Sequence, residues 1–256
     1  MQKIDWNKVK FRASSWGSLL AEPQSKADKD AGKLGATCQK ELLKIYNREK
    51  YNRKKDIVTR AMTKGIDCED ESIKLYSLVE GKIFFKNEEA LENEWFTGHP
   101  DIYTGESIHF AEEVDDIKSS YELDTFTPRL IETSDKGYEA QLNVYYDLAK
   151  AEGGNIVYTL VDAPESVLYD EYTWLFKKGA YISEESPDFL RAWDEKKRLL
   201  TFEDIDYRER VIKIPVAKND ELIEKMKGKV PIFRQWLSDF EKRHMSLYPK
   251  EELVTN

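Results

Sequence analysis

Cysteine is almost missing from this chain: Cys38 and Cys68 are the only two in 256 residues. Two thiols cannot supply a disulfide framework, a four-cysteine zinc site or an iron–sulfur cluster, so both are expected to be reduced and structural. Histidine is nearly as scarce, with three residues, and His99 has no second histidine close by in sequence, which argues against a histidine-built metal centre. No apolar run of about 18 residues occurs. Met1 to Lys10 mixes charges with apolar residues where a secretory leader would carry an apolar centre. A soluble protein of the cytoplasm, without a membrane partner, is expected. No Pro/Gly/Ser-rich linker, internal repeat or low-complexity tract divides the chain, and 40% hydrophobic with 12% aromatic content suffices for one substantial core. One domain over 1–256 follows, with a core at about 10–165 and a C-terminal elaboration at about 166–256.

A formal net charge of −9 excludes a protein that coats nucleic acid by bulk electrostatics. Charge is unevenly spread, however. Between Lys40 and Lys64 stand nine basic residues, among them Arg53, Lys54, Lys55 and Arg60, against only Glu41, Glu49 and Asp56. Such a run is ordinarily a solvated helix face. Its place directly before the acidic residues described next makes it a candidate for phosphate contacts.

Ser14 and Ser15 are suited to cap a short helix through Trp16, Leu19 and Leu20, and the polar residues 22–33 suggest a loop. A long helical stretch is predicted from about Thr37 to Lys64, interrupted at Gly65 and followed by a second helix with Cys68, Glu69, Ile73, Tyr76 and Val79 along one side. From Glu94 to Ser120 the pattern changes to a β-hairpin, with Gly98–Tyr103 on one strand and Val114–Lys118 on the other. A helix from Tyr138 to Lys150 and a strand from Ile156 to Val161 complete an α/β core. Beyond Pro164, Arg210–Val216 predicts a strand and Asp220–Arg243 an amphipathic helix interrupted near Gly228 and Pro231. The aromatics Trp174, Phe176, Tyr181, Phe189 and Trp193 could stack on single-stranded bases but are expected in the core, and Ile232, Phe233, Trp236, Leu237 and Phe240 mark a helix that packs on the core or on another subunit.

Alternation along a strand places Asp116 and Lys118 on one face and Asp115 and Ile117 on the other. Asp101 lies on the preceding strand, with fourteen residues between it and Asp116, a separation over which a hairpin brings the two carboxylates together. Carboxylates so placed could share a divalent cation, which supplies much of what phosphodiester hydrolysis requires. Lys118 could then orient water and stabilise charge, its pKa lowered by the neighbouring cation. Glu69 could complete the metal shell. Gln141 is a polar residue in an apolar helical stripe and requires a partner. A shift of register by one residue would exchange Asp115 for Asp116.

Gly98-His99-Pro100-Asp101 followed by Asp116-Ile117-Lys118 resembles the PD-(D/E)xK nuclease signature. Gly65-Ile66-Asp67-Cys68-Glu69 is similar to its upstream helix motif and Gln141-Leu142-Asn143-Val144-Tyr145 to its Q-x-x-x-Y motif. In that order, over roughly residues 10–165, the four resemble the phage-type alkaline exonucleases, including the lambda exonuclease and viral recombinase relatives. The resemblance implies a restriction-endonuclease-like core, with a mixed central β-sheet flanked by helices. It implies Mg²⁺ dependence, with Mn²⁺ as a substitute, and digestion of linear double-stranded DNA in phage or prophage recombination, hence in the host cytoplasm. In such enzymes it further implies a trimeric ring and a single-strand-annealing partner. By the same resemblance Glu69, Asp101 and Asp116 bind metal, Lys118 is catalytic and Gln141 supports the site. Phe11-Arg12-Ala13-Ser14 resembles a segment that meets DNA near its 5′ phosphate, which makes Arg12 and Ser14 candidate DNA contacts. Asp116 stands where Glu is commoner. The alternatives are a structure-specific or restriction-like endonuclease, since the same centre serves both, and a catalytically inactive DNA-binding or assembly protein.

Overall fold

The computed structural model describes residues 4–53, 59–131 and 135–247. Its elements begin with β1 (Phe11–Arg12), α1 (Trp16–Leu19), α2 (Lys26–Asp30), α3 (Ala36–Tyr51), α4 (Arg60–Asp67) and α5 (Glu69–Glu80). Strands β2 (Leu91–Glu92), β3 (Phe96–Gly98), β4 (Ile102–Thr104) and β5 (Glu113–Ser119) then lead to α6 (Leu123–Phe126) and α7 (Lys136–Ala149). β6 (Gly153–Thr159), α8 (Glu165–Lys178), α9 (Pro187–Arg198), β7 (Val211–Ala217) and α10 (Asp220–Ser246) complete the order.

The central sheet has the order β4-β5-β6-β7. β5 and β6 are parallel, while β4 and β7 run antiparallel along the edges, so the sheet is mixed. Parallel neighbours need a crossover, and α6 with α7 provides it. A smaller sheet joins the chain's beginning to the segment before Asp101, in the order β1-β3-β2.

As a central strand, β5 is buried on both faces, from Val114 to Ile117. Ile117 packs with Ile73, Tyr76, Ile102 and Val157 beneath α5. Val114 and Ile156 face the other way, into the main core, with Leu142 and Tyr146 of α7. That core also holds Trp16, whose indole meets the rings of Phe96 and Phe233 at 5.4 and 5.9 Å. Each such aromatic pair adds about 0.5–1.5 kcal/mol to the burial of apolar area. The C-terminal segment is integral to these layers: β7 pairs with β6 along its whole length, and α10 buries Phe233 and Leu237 in the main core. Phe189 centres a separate cluster with Tyr172, Phe176, Tyr181 and Trp193. Trp174 departs from the expected interior role, being 43% exposed.

Several boundaries differ from those predicted. The long helix stops at Asn52, whose φ of 49° is a left-handed terminus, and Gly65 lies inside α4. The break before α5 falls at Cys68. Ser15 precedes α1 but donates its hydroxyl to Glu41 Oε1 at 2.9 Å and leaves the helix uncapped. The expected loop 22–33 contains α2, capped by Ser25. Finally, α10 runs through Gly228 and Pro231. Pro231 is exposed, so water can reach the Lys227 carbonyl that loses its helical partner. Among the described residues no helix is long and apolar enough to cross a membrane.

Candidate active site

The face of β5 that meets α7 carries Asp116 and Lys118, as strand alternation requires. Lys118 Nζ lies 2.5 Å from Asp116 Oδ2. The other oxygen, Oδ1, accepts a hydrogen bond from Gln141 Nε2 at 3.0 Å. One turn along α7, the Tyr145 hydroxyl accepts from the same Nε2 at 2.9 Å, so the amide in the apolar stripe has the partners its burial demands. Tyr138, one turn earlier, presents its ring to the Lys118 ammonium at 4.8 Å.

Asp101 arrives from the turn before β4. Ile102 lies opposite Asp115 in the β4–β5 register, which brings Asp101 alongside Asp116. Its Oδ2 accepts from the Ile117 N–H at 2.6 Å. Burial, and then the charge of Asp116, push the Asp101 carboxyl well above the ordinary carboxylate range, against the opposing pull of Lys118 and the Ile117 N–H. For Lys118, burial alone would lower the pKa, but Asp116 and Asp101 outweigh it and hold the ammonium above its usual range. Two carboxylates forced together out of water, with one amine between them and solvent, gain from a further positive charge.

Their oxygens are hard donors of the kind Mg²⁺ and Mn²⁺ take, and Mg²⁺ commonly binds through one or two carboxylates while keeping several waters. Asp101 and Asp116 fit that requirement. Glu69, the first residue of α5, is near enough to raise the pKa of Asp101 and Tyr145 by its charge. Its carboxylate is nevertheless drawn to Lys86 Nζ at 3.3 Å. Among the described residues no three His, Cys, Asp or Glu side chains form a ready-made metal cage, so Glu69 borders the pair without being gathered with it.

Asp115 turns the other way. Its Oδ2 accepts from the Tyr76 hydroxyl at 3.0 Å and its Oδ1 from Asn155 Nδ2 at 2.6 Å, so the register ambiguity resolves in favour of Asp116.

Arg12 and Ser14 are exposed and line a pocket of about 360 Å³ with Thr97, Gly98, His99 and Tyr145. Through Tyr145 this pocket adjoins Gln141. Gly98 keeps its wall thin, since a Cβ there would come within 2.6 Å of the Tyr145 ring. Of the basic stripe, the described residues Arg53 and Arg60 bond to neither Asp101 nor Asp116. Arg53 is exposed beyond the end of α3, whereas Arg60 donates to Glu171 Oε1 at 2.8 Å and covers the Trp174 ring at 5.5 Å. Lys54 and Lys55 lie outside the described residues.

Sequence reasoning on its own did not single out Tyr138 and Lys86 as parts of this site. Tyr138 sits three residues before Gln141 on the same helical face, and its hydroxyl-bearing ring beside an acidic strand was the available signal. Lys86 falls in a segment without periodicity, and nothing in the sequence marks it.

Comparison with protein-family models and with curated proteins gave no match. Solved structures do match. A phage-related exonuclease from Haemophilus somnus 129PT has a TM-score of 0.71 and 26% identity, over 93% of this chain and 97% of its own. An alkaline exonuclease from Laribacter hongkongensis superposes with a TM-score of 0.59 at 12% identity, over 94% of this chain and 97% of its own. The Laribacter enzyme in complex with dAMP gives 0.58 at 13%, over 93% of each chain. Over nearly its whole length, then, this chain is similar in structure to phage-related and alkaline exonucleases, as the PD-(D/E)xK signature in its sequence implied.

Proposed function

We propose that this chain is a divalent-metal-dependent deoxyribonuclease that hydrolyses linear double-stranded DNA from an end. The observation that carries this reading is the meeting of Asp101, Asp116, Lys118 and Gln141 at one place in an exonuclease-like fold. Asp101 and Asp116 would hold Mg²⁺ or Mn²⁺, with Glu69 as the candidate third carboxylate. When bound, the cation supplies positive charge for the phosphoryl oxygens and acidity for water.

The chain's own residues do the rest. Lys118, kept charged by its acids, donates hydrogen bonds to the attacking water or a phosphoryl oxygen and offsets negative charge in the transition state. Gln141 fixes the plane of the Asp116 carboxylate from behind, and Tyr145 fixes Gln141. Arg12 and Ser14, in the pocket beside Tyr145, offer a guanidinium and a hydroxyl to DNA phosphate. The Laribacter enzyme's complex is with dAMP, the kind of mononucleotide that stepwise removal from a DNA end releases.

Digestion of a 5′-labelled linear duplex and a closed circular plasmid, each in Mg²⁺, Mn²⁺ and EDTA, tests the proposal. Loss of the linear substrate alone, with mononucleotide products and abolition by EDTA, is expected. Cutting of the circle would replace the exonuclease by an endonuclease, and inertness of the folded protein towards both would leave a DNA-binding protein.

A further inference from the structure

The Asp101 carboxylate is only as well placed as the backbone that carries it, and that backbone lies in a turn outside any helix or strand. What holds it is the segment between α5 and β2. This segment leaves α5 through Gly81, at a φ of 63°. It is pinned where Phe84 stacks on Tyr76 at 4.7 Å and donates its N–H to Ser77 Oγ at 3.1 Å. Lys86 then forms an antiparallel bridge with Ile102 along the free edge of β4, covering a strand edge that would otherwise be open.

The next residue, Asn87, is 4% exposed, and three of its groups turn inward. Its N–H donates to the Asp101 carbonyl at 2.8 Å. Its Nδ2 donates to the Pro100 carbonyl at 2.9 Å and to the Glu89 carbonyl at 2.7 Å. Its Oδ1 accepts from the Glu89 N–H at 3.2 Å. Both carbonyls of the Pro100-Asp101 dipeptide are therefore held by one residue, while the Ile117 N–H holds the Asp101 carboxylate from the other side. An asparagine with this set of bonds is hard to replace: aspartate lacks the Nδ2 donors, and alanine keeps the main-chain bond to Asp101 but leaves the carbonyl of buried Pro100 without its side-chain donor.

We propose that Asn87 is a positioning residue for Asp101, fixing the Pro100-Asp101 backbone so that the carboxylate stands ready beside Asp116 to take a divalent cation. This inference rests on the nuclease reading above. Residues that orient a metal ligand without touching the metal typically change affinity or activity by about 10- to 100-fold when removed. The same is expected of Asn87→Ala and Asn87→Asp.

The test measures Mn²⁺ binding by calorimetry on the full chain, without DNA, for the parent, Asn87→Ala, Asn87→Asp and Asn93→Ala. Asn93 is the control because its side chain also supports a turn, accepting from the Trp95 and Phe96 N–H groups, but makes no bond to Pro100 or Asp101. Thermal unfolding and the Mn²⁺ dependence of duplex cleavage are read on the same samples. Weakened Mn²⁺ binding and a raised Mn²⁺ requirement in both Asn87 variants, with the KM for DNA unchanged and Asn93→Ala retaining parental Mn²⁺ affinity, is the expected result. Parental Mn²⁺ affinity in the Asn87 variants, or equal weakening in Asn93→Ala, would overturn the role of Asn87 and leave the nuclease reading intact. A parent that neither binds Mn²⁺ nor cleaves DNA would overturn both.

Discussion

Asp115 and Asp116 are neighbours on one strand, both buried, and they occupy opposite chemical worlds. Asp115, under α5, accepts hydrogen bonds from Tyr76 and Asn155, two neutral donors that leave it closed off. Asp116, under α7, shares its oxygens between an amide and the ammonium of a partly exposed lysine, with a second carboxylate beside it. The first arrangement is saturated and the second is under electrostatic tension that a cation would relieve. Burial alone does not separate the two carboxylates; the charge of what surrounds them does, neutral donors for Asp115 against an ammonium and a second carboxylate for Asp116.

The comparison sharpens most at Lys118, whose ammonium pairs with Asp116 and not with Asp115. Lys118→Ala is expected to reduce duplex cleavage by about 100- to 10,000-fold, the range for removing a positioned proton-handling or charge-stabilising group. Thermal unfolding should change little, and a large loss of stability instead would make Lys118 a structural counter-ion. On the saturated side the order of effects reverses. Asp115→Ala leaves the Tyr76 hydroxyl and the Asn155 amide without their acceptor, at about 1–3 kcal/mol for each stranded group. Denaturant titration should show that loss while the surviving folded protein cleaves at near-parental rate; a cleavage defect without destabilisation would erase the distinction.

A smaller effect separates Lys118 from a fully buried lysine. Lys118 has acids and stays charged, whereas Lys64, with no exposed surface, has the Tyr121 carbonyl at 3.0 Å and the Phe202 ring at 4.9 Å. Burial lowers its pKa to about 8. An unfolded lysine titrates near its ordinary value of about 10.4, so above pH 8 the unfolded chain binds more protons than the native one, and native stability rises with pH. Between pH 8 and 9.5 the parent should gain stability relative to Lys64→Met. Parallel profiles for the two would show that the Lys64 amine titrates normally.

The geometry of this site was largely legible because it follows short-range rules. Strand alternation fixes which of Asp115 and Asp116 shares a face with Lys118, a hairpin of the observed register returns Asp101 to Asp116, and a glutamine in an apolar helical stripe announces a buried partner. Interruptions were less legible. Apolar periodicity runs on past Asn52 and does not report a left-handed residue there, and Gly65 stays inside α4 because a glycine costs a helix interior only about 1 kcal/mol relative to alanine. Asn87 was invisible for a different reason: its bonds are to main-chain carbonyls thirteen and fourteen residues away, and a backbone carbonyl leaves no trace in the residue type that carries it. The pairing of Glu69 with Lys86 is equally non-local, so the spacing that placed Glu69 on a helix beside the site could not say where its carboxylate would turn.

The most direct test sets Asp115→Asn against Asp116→Asn, two nearly isosteric changes one residue apart, in digestion of linear duplex DNA with Mn²⁺. Loss of cleavage in Asp116→Asn with near-parental cleavage in Asp115→Asn is the predicted result. Equal loss in both, or loss in Asp115→Asn alone, would contradict the assignment of the reactive face of β5.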